Sequence, residues 1–466
     1  MRALAIDQGT TSTRGFVVED GEMNLVFARE HRQIYPTPGR VEHDPEELLA
    51  NVAACVAAAP DAGCAGIDNQ GESCLAWDAA TGAAISPVIV WQDDRTADTC
   101  AALRRDGVEP MVQAHTGLPL DPYFSASKLG WIMRNLPEAR VLADKGRLRL
   151  GTTDAFFRDR LTGRFETDPT TASRTQLMDL RRCEWDADLC ALFGVPMDAL
   201  PAIRPTTGAL GELPGGIPLT ASVVDQQAAL YGHGARRPGD AKITFGTGAF
   251  CLVLTGALRD CPGLLPTVAW AEEGKAPVYA LDGGVYAAAS AVNWARGLGL
   301  FGDWAEIDGF DAAPAITRGI AFVPALSGLA APHWNRAARG AWLGLGLDTG
   351  RADMMQALLE GVAFRAAEIV ARMAGTVAVS APISIDGGMS RNPWFCQFLA
   401  DVLGRELAIP ASAELTALGC AALALRGAGT EGLPPQPAHR IPPRPFPDEW
   451  RSRFKEARVA VEGYGK

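Results

Sequence analysis

The sequence predicts an α/β protein of two related domains, and two short segments carry most of that prediction. Near the N-terminus, Leu4-Ala5-Ile6 runs into Asp7-Gln8-Gly9-Thr10-Thr11-Ser12-Thr13-Arg14 and then Phe16-Val17-Val18. Near the middle, Lys242-Ile243-Thr244 runs into Phe245-Gly246-Thr247-Gly248-Ala249-Phe250 and then Leu252-Val253-Leu254. Each reads as strand, Gly/Thr turn, strand, with residues in the turn that tolerate positive φ. Such a turn gathers backbone N–H groups and hydroxyls into a concavity that suits phosphate oxygens. One alone would be weak, because most Gly/Thr turns are only turns. One in each half suggests two related domains gripping one nucleotide. The third observation is length: 466 residues exceed one ordinary core, so two domains are the default.

The elements follow in order. Strands are expected near 2–6, 14–19 and 24–30, then a loop at Pro36-Thr37-Pro38-Gly39. Asp44-Pro45-Glu46-Glu47 has the order of a helix start: capping residue, proline, acids. Ala65-Gly66-Ile67-Asp68 reads as a buried strand before the polar turn Asn69-Gln70-Gly71-Glu72, and Val88-Ile89-Val90-Trp91 as another. Dense proline and glycine around 190–220 read as long surface loops, and the domain joint is placed at 232–239, dividing the chain into 1–236 and 237–466. The second half repeats the grammar with a 241–255 hairpin, a strand at 277–282, a helix from about 285 to 297 and a long helix from Arg351 to about Ala374. Ile383-Ser384-Ile385 then enters Asp386-Gly387-Gly388-Met389-Ser390-Arg391-Asn392 and a helix start, a third candidate nucleotide contact. Neither GxxxxGK[ST] nor a GxGxxG after a strand is present, so neither a P-loop nor a dinucleotide site fits.

Composition narrows the class. With 48% hydrophobic and 21% charged residues the chain reads as soluble and globular, and its net charge of -11 argues against nucleic acid or an anionic membrane as the main partner. No charged start followed by a long apolar run marks a signal peptide or a membrane span. The ten cysteines form no CxxC and no Cys/His cluster, which points to reduced thiols and a cytoplasmic setting.

Ten stretches, in order, resemble the FGGY carbohydrate kinase family, and within it the glycerol kinases. They are DQGTTSTR (7–14), PTPGRVEHDP (36–45), VIVWQ (88–92), TGLPLDPYFSASK (116–128), ASRT (172–175), DQQAAL (225–230), FGTGAF (245–250), GLAAPHWNRAARG (328–340), DGGMSRN (386–392) and TALG (416–419). The resemblance implies two ribonuclease-H-like (actin-like ATPase) domains with ATP and substrate in the cleft between them. It implies nucleotide contacts at Thr10, Thr11, Ser12, Arg14, Thr247, Asn293, Gly388 and Asn392, a catalytic base at Asp225, and a polyol pocket of Gln70, Glu72, Trp91, Tyr123, Gln226 and Phe250. Asp7 is expected near Mg²⁺, through water, since this ion keeps several waters and uses few carboxylates. The implied activity is ATP-dependent phosphorylation of a hydroxyl on a small neutral polyol or sugar, and a homodimer is left open. The chemistry is consistent: phosphoryl transfer needs an acceptor in line, screening of phosphate charge and a group to take the hydroxyl proton.

The chain also departs from the pattern. Glycerol kinases carry Asn-Gln-Arg-Glu-Thr where this chain has Asn69-Gln70-Gly71-Glu72-Ser73. Losing that arginine removes a charge-assisted donor worth about 1.5–3 kcal/mol. Either a larger substrate of the erythritol, xylulose or ribulose type fills the space, or another cation reaches in. The acids Asp93-Asp94 next to Gln92 suit recognition of additional hydroxyls, or else form a solvated loop and helix cap. Asp225 could be only a helix N-cap, the aromatics only core, and Gly71 only a turn glycine. A regulatory actin-like ATP-binding protein is the alternative to a kinase; retained Glu72, Asp225 and Gln226 favour the kinase.

Overall fold

The computed structural model describes residues 1–434 and 436–464. The chain forms two compact units. Unit 1 holds Met1–Gly234, Thr267–Tyr279 and a segment from Glu414; unit 2 holds Ala235–Pro266, Ala280–Ala413 and a segment from Gln436. The first crossing, at 234/235, lies beside the expected joint, and the chain then re-enters unit 1 twice.

Unit 1 is built on a six-stranded sheet in the order Glu212–Leu213, Ile217–Val224, Cys64–Asn69, Ala3–Gln8, Ser12–Glu19, Glu22–Glu30. The first hairpin pairs antiparallel with Asp7 opposite Arg14, while Cys64–Asn69 runs parallel to the first strand with Asp68 beside Asp7. Fully buried strands such as Ala3–Gln8 and Cys64–Asn69 suit parallel pairing, where both faces are covered. Helix Pro45–Ala57 starts as its residues predict, with the Asp44 carboxylate accepting from Glu46 N–H at 2.9 Å. The helix Leu415–Gly427 covers the sheet and crosses helix Asp225–Gly232 backbone to backbone. A Cβ at Gly419 would stand 1.8 Å from the Ala228 carbonyl oxygen, so glycine alone permits that approach.

In unit 2 the central strands are ordered Ala249–Gly256, Ala241–Phe245, Ile383–Gly387, Leu407–Pro410, Ala438–Ile441. Again a hairpin is followed by parallel strands, with Thr244 beside Asp386. The long helix Arg351–Ala374 buries its apolar side in the core of this unit. Among the described residues no helix is long and apolar enough to cross a membrane. All ten cysteines are free thiols, and none of them forms a disulfide.

Two expectations change. The strand at 88–91 shrinks to Val88–Ile89. The proline- and glycine-rich region around 190–220 is not all loop: it holds helix Ala187–Phe193 and ends in the strand Ile217–Val224, a central member of the unit 1 sheet. Gly215, Gly216 and Pro218 hide that strand, because proline and glycine signal turns while here they shape only its entry.

Candidate active site

In unit 1 the first loop is held by charge. Arg14 donates to Asp7 Oδ2 at 2.5 Å and to Glu414 Oε2 at 2.5 Å, and its guanidinium lies 5.3 Å from the Phe16 ring centre. Burial works against that charge, but the two carboxylates outweigh it and raise the Arg14 pKa. Asp68, with no exposed surface, lies beside Asp7, and neither of its carboxylate oxygens meets an N–H or O–H donor. Burial first, then Asp7 and Asp225, push Asp68 well above the usual carboxylate range. Two carboxylates can share a hydrogen bond only when one is protonated. Burial beside Asp7 and Asp225 thus favours the protonated form of Asp68.

Thr10 closes a ring of hydrogen bonds with Gln33, His43, Gln70, Ser73 and Trp91. Gln33 Nε2 donates to the Thr10 carbonyl at 2.8 Å, and His43 Nε2 donates to Gln33 Oε1 at 2.9 Å. Gln70 Nε2 donates to His43 Nδ1 at 3.3 Å, and the Ser73 hydroxyl donates to Gln70 Oε1 at 3.2 Å. Trp91 N–H donates to Ser73 Oγ at 3.1 Å, and the Trp91 indole returns to Thr10 Oγ1 at 3.0 Å. Burial and the neighbouring His31 push His43 down to about 3, so the ring is neutral and can accept at Nδ1 while donating at Nε2.

Glu72 stands out locally. It is 4% exposed and has a left-handed backbone, φ 59°, a conformation uncommon for non-glycine residues. Arg174 Nε donates to its Oε1 at 2.6 Å, and the Ser125 hydroxyl donates to its carbonyl at 2.9 Å. The Arg174 guanidinium lies 5.7 Å from the Tyr123 ring centre and 5.6 Å from that of Phe124. Tyr123 meets Trp91 edge to face at 5.7 Å. Buried Lys128 fixes both aromatics from behind, donating to the Tyr123 carbonyl at 2.9 Å and the Trp91 carbonyl at 3.4 Å. Burial lowers the Lys128 pKa against the pull of surrounding carboxylates. Asp225 opens helix Asp225–Gly232, its Oδ1 accepting from Gln226 N–H at 2.7 Å.

Asp93 does not serve the acceptor side. Its two oxygens take Val41 N–H at 2.7 Å, Arg95 N–H at 3.0 Å and the Arg95 guanidinium at 2.7 and 2.8 Å. Asp94 is exposed, so the pair acts as loop scaffold.

In unit 2 the Thr247 side chain is exposed, and its carbonyl accepts from Ala288 N–H, Ser290 N–H and Ser290 Oγ at 3.0, 3.1 and 2.9 Å. That ties the loop to the start of helix Ala289–Gly297, where Asn293 is exposed. Phe250 follows on strand Ala249–Gly256. Gly387 needs its φ of 89°, because a Cβ there would lie 2.2 Å from the Phe245 carbonyl oxygen. Gly388 next to it faces open space. Asn392 is committed at both ends: its amide donates to the Ile307 carbonyl at 2.7 Å and its oxygen caps the helix at Phe395 N–H, 2.7 Å.

Of the residues expected from the sequence, the structure brings Glu72, Trp91 and Tyr123 together around Arg174; His43, Gln33, Asp68 and Arg174 are not among those expected. His43 and Arg174 sit inside quoted stretches, and only the fold shows what they touch.

Two matching domains, one repeated hairpin grammar and this set of acidic and aromatic side chains define a class. The FGGY family of carbohydrate kinases matches with its N-terminal domain over residues 2–232 and its C-terminal domain over 241–428. The chain belongs to the FGGY family of carbohydrate kinases. It is 44% identical to a glycerol kinase of Thermus brockianus, covering 93% of this chain and 92% of that one, and 42% identical to one of Cereibacter sphaeroides over 91% and 90%. Among solved structures, Plasmodium falciparum glycerol kinase with ADP has a TM-score of 0.90 at 31% identity, covering 99% of this chain and 98% of that one. A xylulose kinase from Rhodospirillum rubrum has a TM-score of 0.85 at 25% identity, covering 99% and 98%. Both expectations drawn from the resemblance, family and two-domain α/β fold, stand, and the chain is a carbohydrate kinase.

Proposed function

We propose that this kinase transfers the γ-phosphoryl group of ATP to a hydroxyl of glycerol. The observation that carries the reading is Glu72, strained, buried and paired with Arg174 beside the Trp91–Tyr123 corner. A carboxylate next to a guanidinium can accept a hydrogen bond from one hydroxyl while the cation donates to another, and aromatic edges pack the carbon chain. The sequence relatives tip the choice toward glycerol over longer polyols or ketoses. Asp93, tied into scaffold bonds, no longer argues for additional hydroxyls.

In this reading Asp225 accepts the proton of the attacking hydroxyl, which contributes about 10²–10⁴-fold. Arg14 and Thr10 to Ser12 meet phosphate oxygens from unit 1, and Thr247, Asn293, Gly388 and Asn392 lie on the nucleotide side in unit 2. Of these Asn392 would act through its backbone turn, since its amide is already engaged. The residues present fit Mg²⁺: Asp7 is a hard oxygen donor, and the buried carboxyl group of Asp68 lies beside it. Asp7 would hold that ion, which when bound would screen the phosphate charge. A soluble enzyme of the cytoplasm completes the proposal.

The test is ADP release with Mg-ATP against glycerol, erythritol, xylitol, ribitol, xylulose and ribulose. Preference for glycerol is expected. Preference for a five-carbon compound would overturn the choice of substrate, and no release above the Asp225→Asn background would overturn the reaction.

A further inference from the structure

We propose that a cavity within unit 2, where helix Asp448–Gly463 meets helix Arg351–Ala374, binds a small organic carboxylate with an apolar body. The inference is independent of which hydroxyl the enzyme phosphorylates.

The cavity follows from the residues of its walls. Ala367, Ala371 and Ala374 recur at helical spacing on Arg351–Ala374, so this stripe of the lining offers only methyl groups. Phe364 and Phe454 bring the two helices together by stacking, with ring centres 4.7 Å apart and planes at 13°. With Val370, Val402 and Leu403 they give the cavity an apolar wall. The space left over is about 520 Å³, within the roughly 300–1,000 Å³ typical of small-molecule sites.

The charge around this wall has one sign in excess. Arg405, Arg451 and Lys455 all line the cavity. Arg451 is already committed: its Nε and Nη2 donate to the Val402 carbonyl at 3.0 and 2.9 Å, and its Nη1 pairs with Asp448. Arg405 gives one N–H to the Val379 carbonyl at 2.8 Å and meets no carboxylate among the described residues. Lys455 is exposed and has neither a hydrogen-bond nor an ion-pair partner among them. The one acid in the lining, Glu368, is spent elsewhere. Arg458 Nε meets it at 2.9 Å and His333 Nε2 at 3.4 Å, and Arg365 pairs with it as well. Burial raises the Glu368 pKa, yet these three partners hold it down to about 2.

Two uncompensated cations beside an apolar wall ask for a ligand with both characters. A carboxylate head matches the guanidinium fork and the ammonium, and a hydrocarbon body covers the alanine and phenylalanine surface. A neutral apolar molecule would leave the cations unmet, and a bare anion would leave the wall wet.

Calorimetry on the full-length enzyme tests this with decanoate as the probe, beside decylamine and acetate. Decanoate should bind at one site with a Kd below about 1 mM. Decylamine has the same chain with the opposite charge, and acetate the same head without the chain. Each should bind at least about 10-fold more weakly. Ala371→Trp, which fills the cavity from an exposed position, should abolish decanoate binding. Lys455→Glu should weaken it by about 10-fold or more. Melting curves report that both variants fold, and their kinase activity without decanoate should match wild type. Undiminished binding by Ala371→Trp overturns the site. Should that variant not fold, undiminished binding by Lys455→Glu does so. Decylamine binding as tightly as decanoate overturns the ligand class, and no saturable binding of decanoate overturns the proposal outright.

Discussion

The hairpin loop of unit 1 and the hairpin loop of unit 2 share strand, turn and strand, yet the first is built from charge and the second from backbone. Around the first, Asp7, Arg14 and Glu414 form a chain of ion pairs, and Thr10 is bonded at both its carbonyl and its hydroxyl. In the second, the turn 246–248 carries no charge, the Thr247 side chain is exposed, and the loop is held by its own carbonyls on the start of a helix. Equal grammar therefore does not mean equal duty. The first loop is braced by ion pairs and tied to Trp91; the second is neutral and held through its backbone.

If that contrast is right, the largest effect belongs to unit 1. Asp225→Asn should lower kcat by about 10²–10⁴-fold, with nucleotide affinity retained. Next, Arg14→Gln should weaken kcat/KM for ATP by about 10–100-fold, because it leaves two carboxylates facing one another without their cation. Thr247→Ala, by comparison, should change KM for ATP by less than about fivefold, one neutral hydrogen bond. Steady-state kinetics of the pair decides it: a larger effect from Thr247→Ala would break the comparison. His43→Leu should lower stability by about 1–3 kcal/mol, since Gln33 and Gln70 would each lose a buried partner. Denaturant melts measure that loss, and an unchanged midpoint would show that the hydrogen-bond ring is incidental.

The smallest effect concerns unit 2. Burial pushes buried Glu360 up to about 8, against two bonds from Ala315 and Ile316 N–H at 2.6 and 2.9 Å. An unfolded glutamate titrates near about 4.3. The folded state thus binds more protons between these values, so this group's stabilisation is full below pH ~4.3 and is lost as pH rises toward 8. Glu360→Gln should flatten the fall in melting temperature between pH 5 and 8. An unaltered slope would assign that pH dependence to other groups.

Much of this was legible in the residues. The first hairpin, the Asp44 helix start and the Arg351–Ala374 helix follow from local pattern, because capping, apolar spacing and turn residues all act within a few positions. Glu72, Trp91 and Tyr123 are expected together from motifs, and they do lie together around Arg174. What was not legible is pairing at a distance. Arg174 meets Glu72 across 102 positions, and His43 meets Gln70 across 27. No periodicity encodes such contacts. Asp68 looked like an ordinary strand residue, and only the parallel register beside Asp7 makes it a buried acid. Asp93 misled for the converse reason: acidic residues near a site look like ligands until their own partners are seen.

The most direct test of the account is a paired measurement on wild type and Asp225→Asn: Mg-ATP-dependent glycerol phosphorylation beside ADP affinity by calorimetry. The account predicts transfer lost by at least about 10²-fold and ADP affinity within about twofold of wild type. Full transfer by Asp225→Asn, or loss of ADP binding along with transfer, would contradict the division of labour between an acid-bearing unit 1 and a nucleotide-holding unit 2.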